Sequence, residues 1–380
     1  MTIEEPTAIT KPKVLLTGAN GYVAAHVLKQ LVEANCHVTG TVRSEEKANL
    51  SRSFNPEYEG SARFIVLPDF TKQESWDRIF QETDYDYVVH TAAPLMSEEN
   101  TDFDKHYLEP NVRGNLGILN AVTEFGKKVK HISITSSICT LGVFDPAAGV
   151  ITSKRFTAGD WNSTTEDMAR EAKSLFINYC VSKTLAEKAV WEYIKTKKPH
   201  FSVSVMLPGA IMGPCIQPIA SLSKTNLTTD GLYSLLNGTF KEIPPTHFSE
   251  YIDVRDVARA HVMALTSPAA SNQRIILSRP GYSTTTVVKI MGEHFPVELR
   301  GRLPADNGVR DNPPVDIDGE PGRELLGGCI SLEGSIVPTV RRLLELEGIF
   351  GRGEKSPRGE EFAGYLEDIS GNRKGEVAAL

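Results

Sequence analysis

The stretch TGANGYVAAH, residues 17–26, decides how the rest of the chain is read. It follows a short β-branched run, Lys13–Thr17, and opens a helical segment over Tyr22–Glu33. Gly18, Gly21 and Ala24 stand in a G-x-x-G-x-x-A spacing. Gly18 permits a tight turn off the strand. Gly21 lets backbone approach a diphosphate at the helix N-terminus, where free N–H groups and the helix dipole favour negative charge. Ala24 is small enough for close packing of helix on sheet. A strand, a glycine turn and a helix in this order near the N-terminus predict a dinucleotide-binding unit.

Further β-branched runs continue the pattern: His37–Val42, Phe64–Leu67, Tyr87–His90, His131–Thr135, Ser202–Met206 and Arg274–Leu277. Helical segments such as Gly114–Glu124 lie between them. Strands alternating with helices predict an α/β fold, a Rossmann-type doubly wound parallel sheet with a smaller C-terminal substrate-binding lobe. The dinucleotide-binding part is expected over 11–207, with 251–279 returning to it. The Pro-, Gly- and Ser-rich segments 208–250 and 280–350 are expected to form the lobe. The charged, Gly-rich residues 351–380 read as a flexible tail.

Composition narrows the function. A formal net charge of −7 argues against nucleic acid or an anionic membrane as partner. No run approaches the ~18 apolar residues of a membrane span, and the N-terminus has no apolar run typical of a secretory signal. Five scattered cysteines and nine histidines form no metal-ligand spacing and no disulfide framework. A cytoplasmic enzyme acting on a small molecule, as a monomer or homodimer and without a metal, is expected.

The second strand points to the dinucleotide. NAD-specific folds place an acid at its end. Here the strand runs into Arg43, with Lys47 a turn further on. A guanidinium can hold a 2′-phosphate bidentately, so NADPH/NADP+ is expected. The alternative is that both are solvated surface charges.

With a dinucleotide supplying hydride, the protein must move a proton and orient a carbonyl. NYCVSK, residues 178–183, places Tyr179 four residues before Lys183 on one helix face. An ammonium beside the phenol would lower its pKa and suit it to proton transfer. Tyr193 and Lys197 repeat the spacing. A helix over about 174–197 starts at the carboxyl edge of the sheet, where ligands bind. Tyr179 lies near that start. Tyr193 lies about 21 Å further along the axis, so it reads as part of a helix C-terminus. Ser136 and Ser137 follow the strand His131–Thr135 and bring hydroxyls to the same edge. No G-x-S-x-G or H-E-x-x-H pattern suggests hydrolysis.

These residues resemble the extended branch of the short-chain dehydrogenase/reductases. The similarity is to the dihydroflavonol reductase and cinnamoyl-CoA reductase group, and within it to fungal NADPH-dependent aldehyde, methylglyoxal and ketone reductases. It spans about Lys13–Phe350 and rests on TGANGYVA, TVRSEEKA, HTAAPL, ITSS, NYCVSK, LPGAIMGP and YIDVRDVARAHV. The resemblance implies NADPH-dependent reduction of a ketone or aldehyde, with a place in fungal secondary metabolism. It assigns Ser137 as catalytic serine, Tyr179 as general acid and Lys183 as the lysine that holds the nicotinamide ribose. It assigns cofactor binding to Gly18, Asn20, Gly21, Tyr22, Val23, Arg43, Lys47, Asp69, Phe70, Thr91, Ala92 and Pro208. Leu95, Met96, Ile138, Phe176, Ile211 and Met212 are candidate walls of an apolar pocket, suited to an apolar or aromatic carbonyl compound. Asp253 or Asp256 is expected to cap a helix. Leu141 replaces a flavonoid-binding Asn of the dihydroflavonol reductases. Val181 and Ser182 depart from the cinnamoyl-CoA reductase signature, so neither plant substrate is implied. A steroid-type dehydrogenase, an epimerase/dehydratase, and a non-catalytic NADP-binding sensor are the alternatives.

Overall fold

A computed structural model describes residues 11–94, 102–145, 149–151, 153–172, 174–222, 225–246, 248–308 and 314–352. The strands are β1 Lys13–Thr17, β2 His37–Val42, β3 Ala62–Val66, β4 Tyr87–His90, β5 His131–Thr135, β6 Phe144–Asp145, β7 Gly149–Val150 and β8 Arg155–Phe156. They continue with β9 Ser202–Pro208, β10 Ala210–Met212, β11 Tyr251–Asp253, β12 Gln273–Leu277 and β13 Asp316–Ile317. The helices are α1 Tyr22–Glu33, α2 Glu45–Phe54, α3 Gln73–Glu82, α4 Glu109–Glu124, α5 Glu166–Ala172 and α6 Leu175–Lys197. After them come α7 Leu227–Leu236, α8 Val254–Ala264, α9 Thr284–His294, α10 Glu320–Leu326 and α11 Leu332–Phe350.

Seven strands form one sheet in the order β12-β9-β5-β4-β1-β2-β3. Every pairing in it is parallel. Each predicted β-branched run is one of these strands, to within two residues at either end. The register sets the faces. Leu15 pairs Val88, Val88 pairs Ile132, and Ile132 pairs Val203, so four apolar side chains line up across the sheet. This row packs against Trp76 and Phe80 of α3, Ile118 and Leu119 of α4, and Val190 of α6. Val14, Leu16 and Val89 point to the other face and pack with Val27 and Leu31 of α1 and Ala258 of α8. Alternate residues serve opposite faces because the strand period is two. Burying each such side chain contributes roughly 2 kcal/mol.

A second core lies beyond the sheet. Leu232 and Leu236 of α7, Val287 and Met291 of α9, and Ile336, Val340 and Leu343 of α11 pack together. Its chain segments come from both sides of β11 and β12. Tyr22 of α1 reaches towards it: its hydroxyl donates to the Gly213 carbonyl at 2.8 Å. His26 meets the Pro214 carbonyl at 2.9 Å. Asp253, of the two candidates, caps α8 and accepts the Arg255 N–H at 2.8 Å. A π-helical turn, Asp104–Leu108, precedes α4; the sequence reading began that helix later, at Gly114.

Candidate active site

The strand order reverses between β1 and β4, and the crevice at their carboxyl ends is where such a sheet takes a ligand. Gly18 turns there with φ +66, a conformation that disfavours any side chain. A Cβ on Gly18 would stand 3.3 Å from Ala92. Thr17 ties the two loops: its Oγ1 accepts the N–H groups of Thr91 and Ala92, both at 3.0 Å. Thr91 Oγ1 donates to the Thr17 carbonyl at 2.6 Å. Gly21 caps α1 without a side-chain hydrogen bond, and no acid occupies the first turn. The N–H groups of that turn are therefore left for an anion, as a dinucleotide diphosphate requires.

Asn20 is half-buried beside the turn, and Val23 packs behind it. The Tyr22 phenol is committed to Gly213, and burial pushes it well up, with Asp253 adding to the shift. Arg43 is exposed just past β2, and Lys47 sits in the first turn of α2, whose cap Ser44 accepts the Lys47 N–H. Among the described residues, neither side chain has a charged or hydrogen-bonding partner. Asp69 Oδ1 accepts the N–H and hydroxyl of Thr71, at 2.9 and 2.6 Å, which holds its carboxyl below the usual range. The Phe70 ring packs against α4 at Gly114, where a Cβ would meet it at 2.5 Å. Pro208 ends β9, buried.

The structure brings Ser137, Tyr179 and Lys183 together. Ser137 caps the 3-10 turn Ile138–Leu141, its Oγ accepting the Cys139 N–H at 3.3 Å. Its hydroxyl lies beside the Tyr179 phenol and opposes the rise that burial imposes on it. Ser174 caps α6, which places Tyr179 in the second turn, at the carboxyl edge of the sheet. Lys183, 8 % exposed, donates from Nζ to the Thr135 carbonyl at 3.0 Å. Tyr193 lies elsewhere: its hydroxyl donates to Thr123 Oγ1 at 2.8 Å, inside the α4–α6 contact.

One expectation is corrected. Lys183 was expected to lower the Tyr179 pKa, yet the phenol is raised above its ordinary value. Burial is the main cause, with Cys139 adding to it and the Ser137 hydroxyl opposing. Burial also lowers Lys183, while Cys139 and Glu187 push it back up. A desolvated phenol keeps its proton until a developing negative charge takes it.

The candidate pocket residues divide. Phe176 is half-buried and meets Phe144 edge to face at 5.1 Å. Ile211 is half-buried. Ile138 and Met212 are each 4 % exposed, within the main and second cores respectively. Leu95 and Met96 lie outside the described residues, as do positions 353–380 of the expected tail.

Residues 14–277 match the family model described as the NAD dependent epimerase/dehydratase family. The chain belongs to this family. Within it, the chain is 32% identical to the NADPH-dependent methylglyoxal reductase of Saccharomyces cerevisiae, over 88% of this chain and 99% of that one. It is 30% identical to the ketoreductase azaE of Aspergillus niger, over 83% and 92%. The solved yeast methylglyoxal/isovaleraldehyde reductase complexed with NADPH superposes with a TM-score of 0.77 at 29% identity, over 88% of this chain and 99% of that one. The match places this member in the extended short-chain dehydrogenase/reductase branch, as the motifs implied.

Several residues of the site were not read from the sequence. His90 ends β4, meets Thr17 Oγ1 at 2.9 Å, and is lowered to about 3 by burial and by Lys183. Glu187 and Arg274 form a buried pair at 2.6 Å directly behind Ser136. Glu187 continues the four-residue spacing of Tyr179 and Lys183, a signal the sequence does contain.

Proposed function

We propose that the protein is an NADPH-dependent carbonyl reductase that converts a ketone or aldehyde to an alcohol. The observation that carries this reading is the meeting of the Ser137 and Tyr179 hydroxyls at the carboxyl edge of the sheet, with Lys183 one turn along α6. The reductase activities named for the yeast and Aspergillus relatives support it.

NADPH, when bound, supplies the hydride. The uncapped first turn of α1 would hold its diphosphate, with Gly18, Asn20 and Gly21 forming the turn and Tyr22 and Val23 contributing backbone N–H groups. Arg43 and Lys47 would take the 2′-phosphate. Asp69, Phe70, Thr91 and Ala92 would flank the adenosine half, and Lys183 and Pro208 the nicotinamide half. Ser137 donates to the substrate oxygen and fixes the carbonyl in place. Tyr179 holds its proton by desolvation and releases it as charge develops on that oxygen. Lys183 then stabilises the phenolate left behind.

Residues 208–250 and 280–350 supply the second core and, in this reading, the substrate-binding lobe. The half-buried Phe176 and Ile211 favour an apolar or aromatic carbonyl compound over a charged one. The reading also places the protein in the cytoplasm, as a monomer or homodimer acting on a small molecule. NADPH consumption across a panel of aldehydes and ketones tests it. No turnover with any of them, while NADPH still binds, would favour a sensor instead.

A further inference from the structure

Tyr179, Lys183 and Glu187 follow one another at four-residue intervals, so α6 presents all three on one face. Glu187 is 2 % exposed, and a carboxylate that deep is costly unless partnered. Its Oε2 accepts the Ser136 hydroxyl at 2.7 Å. Its Oε1 accepts Arg274 Nε at 2.6 Å and Trp191 Nε1 at 3.3 Å. Arg274 also donates to the carbonyls of Ala158 and Asp160, both at 2.6 Å, and to Thr140 Oγ1 at 2.9 Å. Its guanidinium lies 3.6 Å over the Trp161 ring. Thr140 in turn gives its hydroxyl to the Ser137 carbonyl at 2.9 Å and its N–H to the same oxygen at 3.1 Å. The Ser136–Ser137 turn is thus held at both residues by groups that lead back to one carboxylate.

A cavity of about 10 Å³ is lined by Asn115, Thr135, Ser136, Lys183 and Glu187 among others. That is about the room one water needs, and the walls offer it several polar partners. It lies between the carboxylate and the ammonium.

We propose that Glu187 is a positioning residue for this site: it aims Ser137 through Ser136 and Arg274, and across the cavity it favours the charged form of Lys183. The consequence for turnover rests on the carbonyl-reductase reading; the effect on Lys183 does not. The groups facing Lys183 are Glu187 on α6, the Thr135 carbonyl at the end of β5, Cys139 from the turn after it, and His90 from β4. Those facing Glu187 are Arg274 from β12, Trp191 and Lys183 on α6, Ser136 after β5, and Cys139. Burial drives Lys183 towards the neutral amine, and Glu187 opposes it. Removing the negative charge therefore moves the loss of the ammonium to lower pH.

Glu187→Gln keeps the size and an acceptor oxygen for Arg274 and Trp191, exchanges the other oxygen for an amide that the Ser136 hydroxyl can turn to accept, and removes the charge. In the full chain, kcat for NADPH-dependent reduction is expected to fall roughly tenfold, with NADPH affinity within about twofold of wild type. The alkaline limb of the kcat–pH profile moves to lower pH, and Glu187→Asp recovers part of it. A ¹³C NMR titration of the Lys183 Cε signal, assigned with Lys183→Arg, reads the same displacement without turnover. An unchanged Lys183 midpoint in Glu187→Gln overturns the electrostatic role. Wild-type protein that reduces no carbonyl compound overturns the functional reading instead, and the NMR titration still decides the role of Glu187. Should Glu187→Gln fail to fold, Ser136→Ala cuts the grip on the turn while keeping the ion pair. A wild-type kcat in Ser136→Ala overturns the positioning role; a reduced kcat with normal NADPH affinity supports it.

Discussion

Lys183 Nζ donates to the Thr135 carbonyl at 3.0 Å, tying the middle of α6 to the last residue of β5. The contact fixes the distance between the helix that carries Tyr179 and the strand end that carries Ser137. It also leaves the ammonium two further donors.

Tyr179→Phe is expected to lower kcat by about 10²–10⁴-fold, the usual contribution of a positioned acid, while NADPH binding by fluorescence titration stays near wild type. Tyr193→Phe provides the internal control. It loses hydrogen bonds to Thr123 Oγ1 and the Leu119 carbonyl within the α4–α6 contact, so kcat should hold and stability fall by about 1 kcal/mol. Equal losses of kcat in the two variants would sink the assignment of Tyr179.

Arg43→Ala removes an exposed guanidinium with no partner among the described residues. A charge-assisted contact to a 2′-phosphate is worth about 1.5–3 kcal/mol. The KM for NADPH should therefore rise roughly 10- to 100-fold, and that for NADH should stay unchanged. A parallel rise in both would rule out the 2′-phosphate role.

Tyr22→Phe leaves the Gly213 carbonyl without its 2.8 Å donor. The expected cost is about 1–2 kcal/mol in chemical denaturation. Because Tyr22 opens the helix of the glycine turn, NADPH affinity should weaken as well. A variant with full stability would show that this contact is not formed in solution.

Glu250 accepts the Ser278 hydroxyl, and burial pushes its carboxyl up to about 7. Its folded pKa thus exceeds its unfolded value of about 4.3. The stability it contributes is full below that value and is lost as pH rises towards 7. Burial depresses the histidines in the opposite sense: His90 and His261 to about 3, and His131 to about 4. Their contribution is present above pH ~6.5 and is lost as pH falls. Glu250→Gln should therefore destabilise least near pH 7 and most near pH 4.5, relative to wild type. Melting curves across pH 4.5–8 measure the difference; a difference that does not change with pH would exclude a raised Glu250.

Much of this was legible in the sequence because it is local. Five-residue β-branched runs, the glycine turn and the Ser174 cap depend on sterics and hydrogen bonds within a few residues. The choice of Tyr179 over Tyr193 followed from helix direction, distance along the helix from the strand ends and the Ser136–Ser137 pair, and the Tyr193–Thr123 bond within the α4–α6 contact agrees with it. The π-helical turn before α4 was missed because no propensity marks it. The Glu187–Arg274 pair was missed because its partners are 87 residues apart. Ile138 and Met212 were expected near an open pocket, but apolar side chains do not reveal from sequence which cavity or core they fill.

Local sequence pattern is enough for the parallel sheet, the glycine turn and the face of α6 shared by Tyr179 and Lys183. Each follows from short-range geometry: a strand period of two, a helix period of 3.6, and the freedom of glycine. Long-range packing added what local pattern could not show: Glu187 joined to Ser136 and Arg274, and a Tyr179 phenol raised rather than lowered. Those outcomes depend on desolvation and on charges carried by distant segments, and both exist only once the chain has closed around the site.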